Sequence, residues 1–335
     1  MSLLLSFFRF KNQTLILTNT ICPELLSEIL KEIRCKKLFK CILKEELPCL
    51  FEEKVLTGHI DIISCIALLD KTHLASGSEY IDKSIKIWKL SSGDCIKSLY
   101  GHTHTITSLM KLNKNQLASG CDDYSIKVWN FQTGICLFTL KGHKQIGIML
   151  AKLNDTQFVS SCSDKTIKIW DFTNGYCIKT LTDNISEFTI IIRLNKTRIA
   201  TGNFLERTIQ IWDITNGICL KTFDKSIEED KIRNLVRINN KLLASSSYTS
   251  IKIWDLSTGK CLKTIDDNTY YISSLIKLSK KLLSTGSHKT IKLFDFLTGT
   301  CLKTFSEHKI YITCLVKLNK AQILIGSNDI QIWDI

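Results

Sequence analysis

Short segments along the chain alternate hydrophobic and polar positions with a period of two. In "TIKIWDF", Thr166 to Phe172, the apolar Ile167 and Ile169 flank Lys168, and Trp170 follows. A period of two is typical of a β-strand with one buried and one solvent-exposed face. Closely similar segments, "SIKVWNF", "SIKIWDL" and "TIKLFDF", occur elsewhere in the chain. The pattern therefore predicts a protein built from many short strands.

These segments recur at a nearly constant interval of about 40 residues. The equivalent aromatic positions are Trp88, Trp129, Trp170, Trp212, Trp254, Phe294 and Trp333. A period of this length that ends in Trp-Asp, with Gly-His upstream, is typical of four-stranded propeller blades. In the third unit we predict the four strands "IMLAKLN", "QFVSSCS", "TIKIWDF" and "CIKTL". Because the tryptophan is repeated, we interpret it as a packing residue between blades.

The sequence resembles the WD-repeat β-propeller family over roughly residues 49–335. The resemblance rests on seven repeat endings and on the pairs Gly58–His59, Gly101–His102 and Gly142–His143. It implies an all-β fold, a seven-bladed propeller of four-stranded antiparallel blades, over residues 48–335. The seventh unit ends after its third strand, so we expect "CLFEEKVL", residues 49–56, to supply the fourth. Ring closure of this kind removes open sheet edges.

The resemblance also implies a hydrogen-bonded chain of His, Ser, Asp and Trp within a blade. Three blades carry the residues for such a structural tetrad: His59, Ser76, Asp82, Trp88; His102, Ser119, Asp123, Trp129; and His143, Ser160, Asp164, Trp170. Ser, His and Asp together also fit a nucleophile triad, but an enzyme does not need three copies of its site. Blades 4 to 6 have Glu206, Tyr248 and His288 at the Asp position. We therefore expect a less regular half of the ring, with more mobile loops, in blades 4 to 7.

A partner-binding surface is predicted on the top face, which is formed by the loops that join fourth to first strands and second to third strands. Aromatic and basic residues collect in these loops in the later blades: Lys231, Arg233, Tyr248, Tyr270, Tyr271, His288 and Tyr311. Aromatic residues and arginine are enriched at binding hot spots. The alternative is that these are scattered surface residues without a function.

The net charge of +13 has a periodic component. Basic residues end the first strand of six units: Lys111, Lys152, Arg193, Arg237, Lys277 and Lys317. Others follow in the next turn: Lys114, Lys196, Lys241, Lys280, Lys281 and Lys320. These turns belong to the bottom face, so we predict a basic ring there that attracts an acidic partner, RNA or an anionic membrane surface. No stacked aromatic motif accompanies the ring, so specific nucleic-acid recognition is not expected. A compositional bias of the source is the alternative.

Residues 1–47 form a predicted N-terminal extension. Pro23 and Glu24 suit a first helical turn, and an apolar stripe at helical spacing follows: Leu26, Ile29, Leu30 and Ile33. We predict a largely helical segment that packs against the propeller. The stretch "CPELLSEIL" also resembles the opening of an F-box. F-boxes joined to propellers serve as substrate receptors of ubiquitin ligases, and in that alternative residues 1–47 bind an acidic adaptor protein.

The cysteine usage indicates a reducing compartment. Of 14 cysteines, six recur at one repeat position: Cys95, Cys136, Cys177, Cys219, Cys261 and Cys301. Equivalent positions in neighbouring repeats are too far apart for a disulfide, so we interpret these as small buried apolar residues. There is no Cys-x-x-Cys pair, which argues against zinc. With no signal peptide and no apolar segment of membrane-spanning length, we expect a cytoplasmic protein.

The features together predict a non-catalytic scaffold that binds other proteins or peptides, acidic ones among them, as a monomeric propeller within a complex. No nucleotide-binding loop, metal cluster or unrepeated catalytic group is present in the sequence, so we expect no enzymatic activity, cofactor or metal. The two alternatives are a ubiquitin-ligase receptor and a basic RNA- or membrane-associated module.

Overall fold

The computed structural model of the chain describes residues 9–11, 14–16, 54–182, 188–203, 206–223, 231–266, 271–306 and 311–335. The chain divides into two compact units, Met1–Glu53 and Lys54–Ile335. In the first unit, Arg9–Lys11 pairs with Thr14–Ile16 as an antiparallel hairpin. The helix and the F-box-like stretch predicted after Pro23 lie outside the described residues. None of the described segments forms a helix that could cross a membrane.

The second unit contains seven four-stranded antiparallel sheets, the blades of a β-propeller. We number the blades 1 to 7 by the order of their first strands. The strands of blades 1 and 2 are Ile63–Leu68, His73–Ser78, Ile85–Lys89 and Cys95–Leu99, then Ile106–Lys111, Gln116–Cys121, Ser125–Asn130 and Ile135–Lys141. Those of blades 3 and 4 are Met149–Lys152, Gln157–Ser161, Thr166–Asp171 and Tyr176–Thr182, then Phe188–Arg193, Arg198–Asn203, Ile209–Asp213 and Ile218–Phe223.

The later blades keep the same four-stranded pattern. The strands of blades 5 and 6 are Asn234–Arg237, Leu242–Ser246, Ser250–Asp255 and Cys261–Asp266, then Ile272–Lys277, Leu282–Ser287, Thr290–Asp295 and Cys301–Phe305. Blade 7 comprises Cys314–Lys317, Gln322–Gly326, Ile330–Asp334 and Lys54–Leu56. The seven-bladed, four-stranded antiparallel prediction is confirmed. More mobile loops in blades 4 to 7 remain a prediction, and parts of these loops, 183–187, 204–205, 224–230, 267–270 and 307–310, lie outside the described residues.

The ring is closed by pairing between strands from opposite ends of the unit. Lys54–Leu56 lies antiparallel to Ile330–Asp334, with Leu56 opposite Ile330 and Lys54 opposite Ile332. The rest of the predicted closing strand, residues 49–53, lies outside the described residues. The first strands of successive blades contact one another around the whole ring, and those of blades 7 and 1 complete it. The first strands therefore surround the central channel.

The hydrophobic core lies between blades rather than within any one of them. At the interface of blades 2 and 3, Val128 and Leu140 share a cluster with Phe158 and Trp170. The Phe158 and Trp170 rings are stacked, with centroids 6.4 Å apart. The described residues form seven such clusters, one at each blade interface. Each blade is therefore buried on both faces only when both neighbours are present.

In five of the seven blades, a lysine of the fourth strand links the blade to the next one. The Lys97 ammonium donates to the Gln132 carbonyl at 2.5 Å, and the Lys179 ammonium donates to the Thr215 carbonyl at 2.8 Å. Equivalent bonds join Lys54 to Leu90, Lys221 to Ser257, and Lys263 to Leu297. Hydrogen bonds from a charged donor are stronger than neutral ones. Part of the basic excess therefore has a structural role.

The six equivalent cysteines are not buried, so that prediction is wrong. Cys95, Cys177, Cys219 and Cys301 are exposed, and Cys136 and Cys261 are half-buried. They begin the fourth strand, the outermost of each sheet, which has a neighbouring strand on one side only. In blades 1 to 5 this strand is buried at its last apolar residue: Leu99, Leu140, Leu181, Phe223 and Ile265.

Glycine in the second strand allows adjacent blades to approach closely. A Cβ atom on Gly120 would lie 2.7 Å from the Ile148 carbonyl oxygen of blade 3 and 2.7 Å from Ser108 Oγ. Blade 3 has Ser161 at the same position, so its interface already accommodates a side chain. The Ser161 hydroxyl is buried and makes no hydrogen bond within the described part of the chain.

We expect Gly120→Ala to lower the free energy of unfolding by about 1–3 kcal/mol, because the added methyl group overpacks a backbone contact. Ser161→Ala is the matched control and should be neutral or slightly stabilising, because it removes an unsatisfied hydroxyl. Urea unfolding followed by tryptophan fluorescence measures both. Equal stabilities for the two variants would show that close approach at Gly120 does not matter.

Candidate functional site

The four tetrad residues of blade 3 form a directed hydrogen-bonded chain. Trp170 Nε1 donates to Ser160 Oγ at 2.8 Å, and Ser160 Oγ lies 2.7 Å from His143 Nε2. His143 Nδ1 lies 2.9 Å from Asp164 Oδ2. Asp164 also accepts from the backbone N–H of Lys144 and Thr166, which fixes the turn. The chain therefore ties the loop before the first strand to the turn after the second.

Blades 1 and 2 contain the same arrangement. The sets are His59, Ser76, Asp82 and Trp88, and His102, Ser119, Asp123 and Trp129. The His Nδ1–Asp Oδ2 distances are 2.5 Å in blade 1 and 2.7 Å in blade 2. All three serines are fully buried and accept a hydrogen bond from tryptophan. A substrate carbonyl has no access to these hydroxyls, so the arrangement supports a structural role rather than a nucleophile triad.

The tetrad aspartates are held ionised. Burial raises the pKa of each carboxyl group, but hydrogen bonds from the histidine, from Ser84, Ser125 or Thr166, and from the backbone outweigh it. The net pKa of Asp82, Asp123 and Asp164 is below the usual value of 3.8. Burial, together with the nearby charge of Lys86, lowers the pKa of His59 despite the opposing effect of Asp82. In blade 1, the neutral imidazole of His59 therefore donates a hydrogen bond to the carboxylate of Asp82.

The tetrads of blades 2 and 3 each lie beside a cysteine. The potential ligand atoms of His102, Cys121 and Asp123 all lie within 4.8 Å of one another, as do the corresponding atoms of the set in blade 3. The histidine Nδ1 and the carboxylate are already bonded to each other, however. Burial also raises the pKa of the Cys121 thiol to about 12, which disfavours the thiolate that a metal requires. The geometry fits a hydrogen-bonded cluster better than a metal site.

Blades 4 to 6 stabilise the same region with smaller polar groups. In blade 4, Trp212 Nε1 donates to Thr201 Oγ1 at 3.0 Å. In blades 5 and 6 the turn is closed by hydroxyl pairs, Ser247 with Ser250 at 2.9 Å and Ser287 with Thr290 at 2.7 Å. These turns do not use an Asp side chain, so the positions of Tyr248 and His288 are available for other contacts.

Five of the predicted top-face residues form two aromatic groups. Arg233 Cζ lies 4.0 Å from the centroid of the Tyr271 ring and 5.1 Å from that of Tyr248. The two tyrosine rings are 5.4 Å apart. In the next blade, the ring centroids of His288 and Tyr311 are 3.9 Å apart. Hydrogen bonding to Arg233 lowers the pKa of the Tyr248 hydroxyl. Tyr271 is 36% exposed and Tyr311 is 58% exposed, so both present ring surface to solvent.

Two equivalent backbone hydrogen bonds bring these residues together across blade boundaries. The Ile272 N–H donates to the Tyr248 carbonyl at 2.9 Å, and the Ile312 N–H donates to the His288 carbonyl at 2.9 Å. Each bond joins the turn of one blade to the start of the next first strand. Lys231 is half-buried in the loop before blade 5. Tyr270 lies outside the described residues.

The sequence interpretation missed an acidic group on the top face of blades 1 and 2. Burial and the nearby carboxylates of Asp61 and Asp122 raise the pKa of Glu79. Asp61 accepts from the Ile81 N–H at 2.8 Å, and Asp122 accepts from the Gly147 N–H at 2.8 Å. The signal in the sequence was the acidic residue that directly follows the second strand in both blades, Glu79 and Asp122. The top face is therefore acidic at blades 1 and 2, and basic and aromatic at blades 5 and 6.

We expect Asp164→Ala to lower the free energy of unfolding by about 1–3 kcal/mol, because His143 and two backbone N–H groups lose their acceptor. Asp155→Ala in the same blade is the control. Asp155 makes an exposed ion pair with Lys152 at 3.2 Å, which is worth at most about 1 kcal/mol. Urea titration compares the two variants, and an equal loss would contradict a structural role for the tetrad.

The lowered pKa of His59 predicts a pH-dependent stability. The pKa of His59 is lower in the folded protein than its usual value of 6.5, so the neutral side chain stabilises the fold above pH 6.5. This stabilisation is lost as the pH falls through the folded-state pKa. The stability difference between wild type and His59→Gln should therefore shrink as the pH falls from 7 toward 5. His104→Gln, at an exposed histidine, should follow the wild type. Urea midpoints measured across this range test the prediction, and parallel curves for wild type and His59→Gln would contradict it.

Comparison with known protein families agrees with this geometry. Residues 51–89, 93–130 and 134–171 match the family described as WD domain, G-beta repeat. No curated protein sequence matches the chain significantly. The matched segments each begin near a fourth strand and end with the third strand of the following blade, and they carry the three tetrads. Three such repeats, together with the ring of seven four-stranded blades, support a WD-repeat family for this chain.

Proposed function

We propose that this protein is a non-catalytic scaffold that binds proteins or peptides through the top face of blades 5 to 7. Propellers of the WD-repeat family are typical protein-interaction scaffolds. We choose this surface because Arg233 packs against Tyr248 and Tyr271, beside the pair formed by His288 and Tyr311. We name these five residues the top-face cluster.

The chemistry of the top-face cluster supports binding. Tyrosine and arginine dominate binding hot spots because they bury a large area with few freely rotating bonds. Arg233 lies against two aromatic rings, so its guanidinium group is held in place before a partner arrives. The partner that complements an arginine with Lys231 nearby is a peptide with acidic residues. The exposed faces of Tyr271 and Tyr311 suit an apolar or aromatic side chain of the same peptide.

A scaffold role also agrees with the buried tetrads. The Ser, His and Asp groups that resemble a catalytic triad are hydrogen-bonded to structural partners in three separate blades. We propose a cytoplasmic location, in which the ten described cysteines, all free thiols, remain reduced. The propeller acts as a monomer within a larger complex in this proposal.

The F-box-like stretch gives a second candidate function that rests on sequence alone. In that case residues 1–47 bind an acidic ubiquitin-ligase adaptor, and the top-face cluster binds the substrate of the ligase. The two candidates share the top face and differ in what the N-terminal segment does. They are separated by deleting that segment.

We expect the double substitution Tyr271→Ala, Tyr311→Ala to remove partners that the wild-type full chain captures from a native lysate. Loss of two aromatic anchors should weaken binding about tenfold or more. Quantitative mass spectrometry of the captured proteins is the measurement. The partners identified are then titrated against purified wild-type and variant chains to obtain dissociation constants.

Tyr80→Ala, Tyr100→Ala is the matched control. These tyrosines are 64% and 71% exposed, lie in blade 1 and in the loop after it, and do not belong to the top-face cluster. The control should keep the wild-type partners. If both double variants lose the same partners, or neither loses any, the top-face cluster is not the binding site. Loss of ubiquitin-ligase components on deletion of residues 1–47 would favour the receptor candidate.

A further inference from the structure

The bottom end of the central channel is surrounded by basic side chains. The first strands surround the channel, and six of the seven end in, or lie next to, a basic residue: Lys111, Lys152, Arg193, Arg237, Lys277 and Lys317. We name these six residues the basic ring. The equivalent position in blade 1 is Leu68. This surface is opposite to the top-face cluster, so a binding site here is independent of the proposed function.

Two lysines of the basic ring form hydrogen bonds with the preceding blade. The Lys277 ammonium donates to the Ile238 carbonyl, and the Lys317 ammonium donates to the Leu278 carbonyl. Each acceptor follows the first strand of the preceding blade. One lysine side chain is therefore long enough to connect neighbouring positions of the ring. We therefore infer that at blades 5 to 7 one compact ligand can contact several of the basic groups.

Among the described residues, neutral groups rather than acids are the main partners of the basic ring. Arg193 Nε donates to the Asn195 carbonyl at 2.9 Å, and Arg237 Nε donates to the Asn239 carbonyl at 3.2 Å. The acceptors of Lys277 and Lys317 are also backbone carbonyls. Lys152 has an ion pair, and its partner Asp155 is fully exposed. An array of like charges around a channel mouth concentrates positive potential there.

The turns that follow the basic ring are rigid. In blade 4, Asn195 Oδ1 accepts from the N–H groups of Thr197 and Arg198 at 2.9 Å each. Blade 5 repeats this with Asn239, which accepts from Lys241 and Leu242 at 2.7 and 2.9 Å. Asn113, Asn154 and Asn319 do the same in their blades. Fixed turns lower the entropic cost of binding, because few groups have to be ordered by the ligand.

The amino-acid composition of these turns limits the class of ligand that the basic ring can bind. The turns 113–115, 154–156, 195–197, 239–241, 279–281 and 319–321 contain polar residues and one alanine. Insertion into a membrane requires exposed large apolar side chains, and base stacking on single-stranded RNA requires aromatic ones. The turns offer neither. What they offer is several positive charges around one axis, which suits several phosphate groups on a small molecule.

We propose that the basic ring binds a compact small molecule carrying several phosphate groups, of the inositol polyphosphate class, at the bottom mouth of the channel. Blade 1 interrupts the ring with Leu68 and with Asp70. Burial raises the pKa of Asp70, but bonds from Thr72 and His73 outweigh it and lower the pKa to about 2, so Asp70 is charged. The bound anion therefore lies toward blades 2 to 7.

Isothermal titration calorimetry of the full chain with inositol hexakisphosphate tests this proposal. Wild type should bind, with an affinity that falls as salt is added. Lys277→Gln, Lys317→Gln should bind about tenfold weaker or worse, because two charged hydrogen bonds are lost. Lys277→Arg, Lys317→Arg should keep most of the affinity.

Two further variants separate a local site from general charge attraction. Lys260→Gln, Lys289→Gln makes the same change in net charge at exposed positions outside the ring and should bind like wild type. Leu68→Lys, Asp70→Asn completes the ring and should bind more tightly. Asparagine suits this turn, because it serves the same purpose in five other blades.

The proposal is overturned by any of four results. Wild type does not bind the hexakisphosphate, or the control outside the ring loses as much affinity as the ring variant. The variant that completes the ring binds no more tightly although its thermal unfolding is normal. Finally, phosphatidylserine-containing vesicles or single-stranded RNA compete the hexakisphosphate away at lower phosphate concentration, which would indicate a membrane or nucleic-acid surface instead.

Discussion

The structure depends on burial between blades, because no blade can cover its own two faces. A four-stranded sheet in this chain has apolar side chains on both sides, and each side is buried only against a neighbouring blade. The stability of the fold is therefore shared around the ring and requires closure. Closure rests on a short strand, Lys54–Leu56, paired with Ile330–Asp334, and on the cluster that joins Leu56 and Ile330 to Ile63 and Trp88. The tetrads, the lysine links and the glycine contacts are additions to this packing, since each connects a blade to a loop or a blade that packing has already placed beside it.

The two halves of the ring use the turn after the second strand differently. In blades 1 to 3 an aspartate there completes a tetrad, so the side chain is committed to the fold. In blades 5 and 6, small hydroxyl pairs close the same turn, and Tyr248 and His288 take the aspartate position. Those side chains then contact Tyr271 and Tyr311 on the next blade. The later blades that lack the tetrad aspartate are therefore the ones that form the top-face cluster, whose composition is that of a binding site.

Sequence periodicity predicted the short strands and the repeat of about 40 residues, because alternation and repeat length follow directly from backbone geometry. The resemblance to WD-repeat propellers implied the seven-bladed ring and its closure. Neither was enough to predict side-chain burial and contacts that depend on which side of a strand faces a neighbouring blade. The cysteines of the fourth strand follow the same alternation as buried residues, yet they begin a strand that has no neighbouring strand on its outer side. The contact of Arg233 with Tyr271 joins residues almost one repeat apart, and its geometry depends on loop conformation. The bonds from Lys97 and its equivalents to the next blade are visible only in three dimensions, because a repeated lysine in sequence indicates charge and not its acceptor.

The two proposed surfaces share the same first strands. Tyr271 immediately precedes Ile272–Lys277, so one strand carries a residue of the top-face cluster at its start and a member of the basic ring at its end. A ligand at one face changes affinity at the other only if it favours one of two arrangements of the protein. The first strands are held by hydrogen bonds within the sheet and by packing on both faces, so we expect them to keep one arrangement when a ligand binds. Phosphate binding at the bottom face should therefore add a second, independent contact to a complex rather than regulate the top face. Such a combination raises the overall affinity for a partner or assembly that presents both an acidic peptide and clustered phosphates.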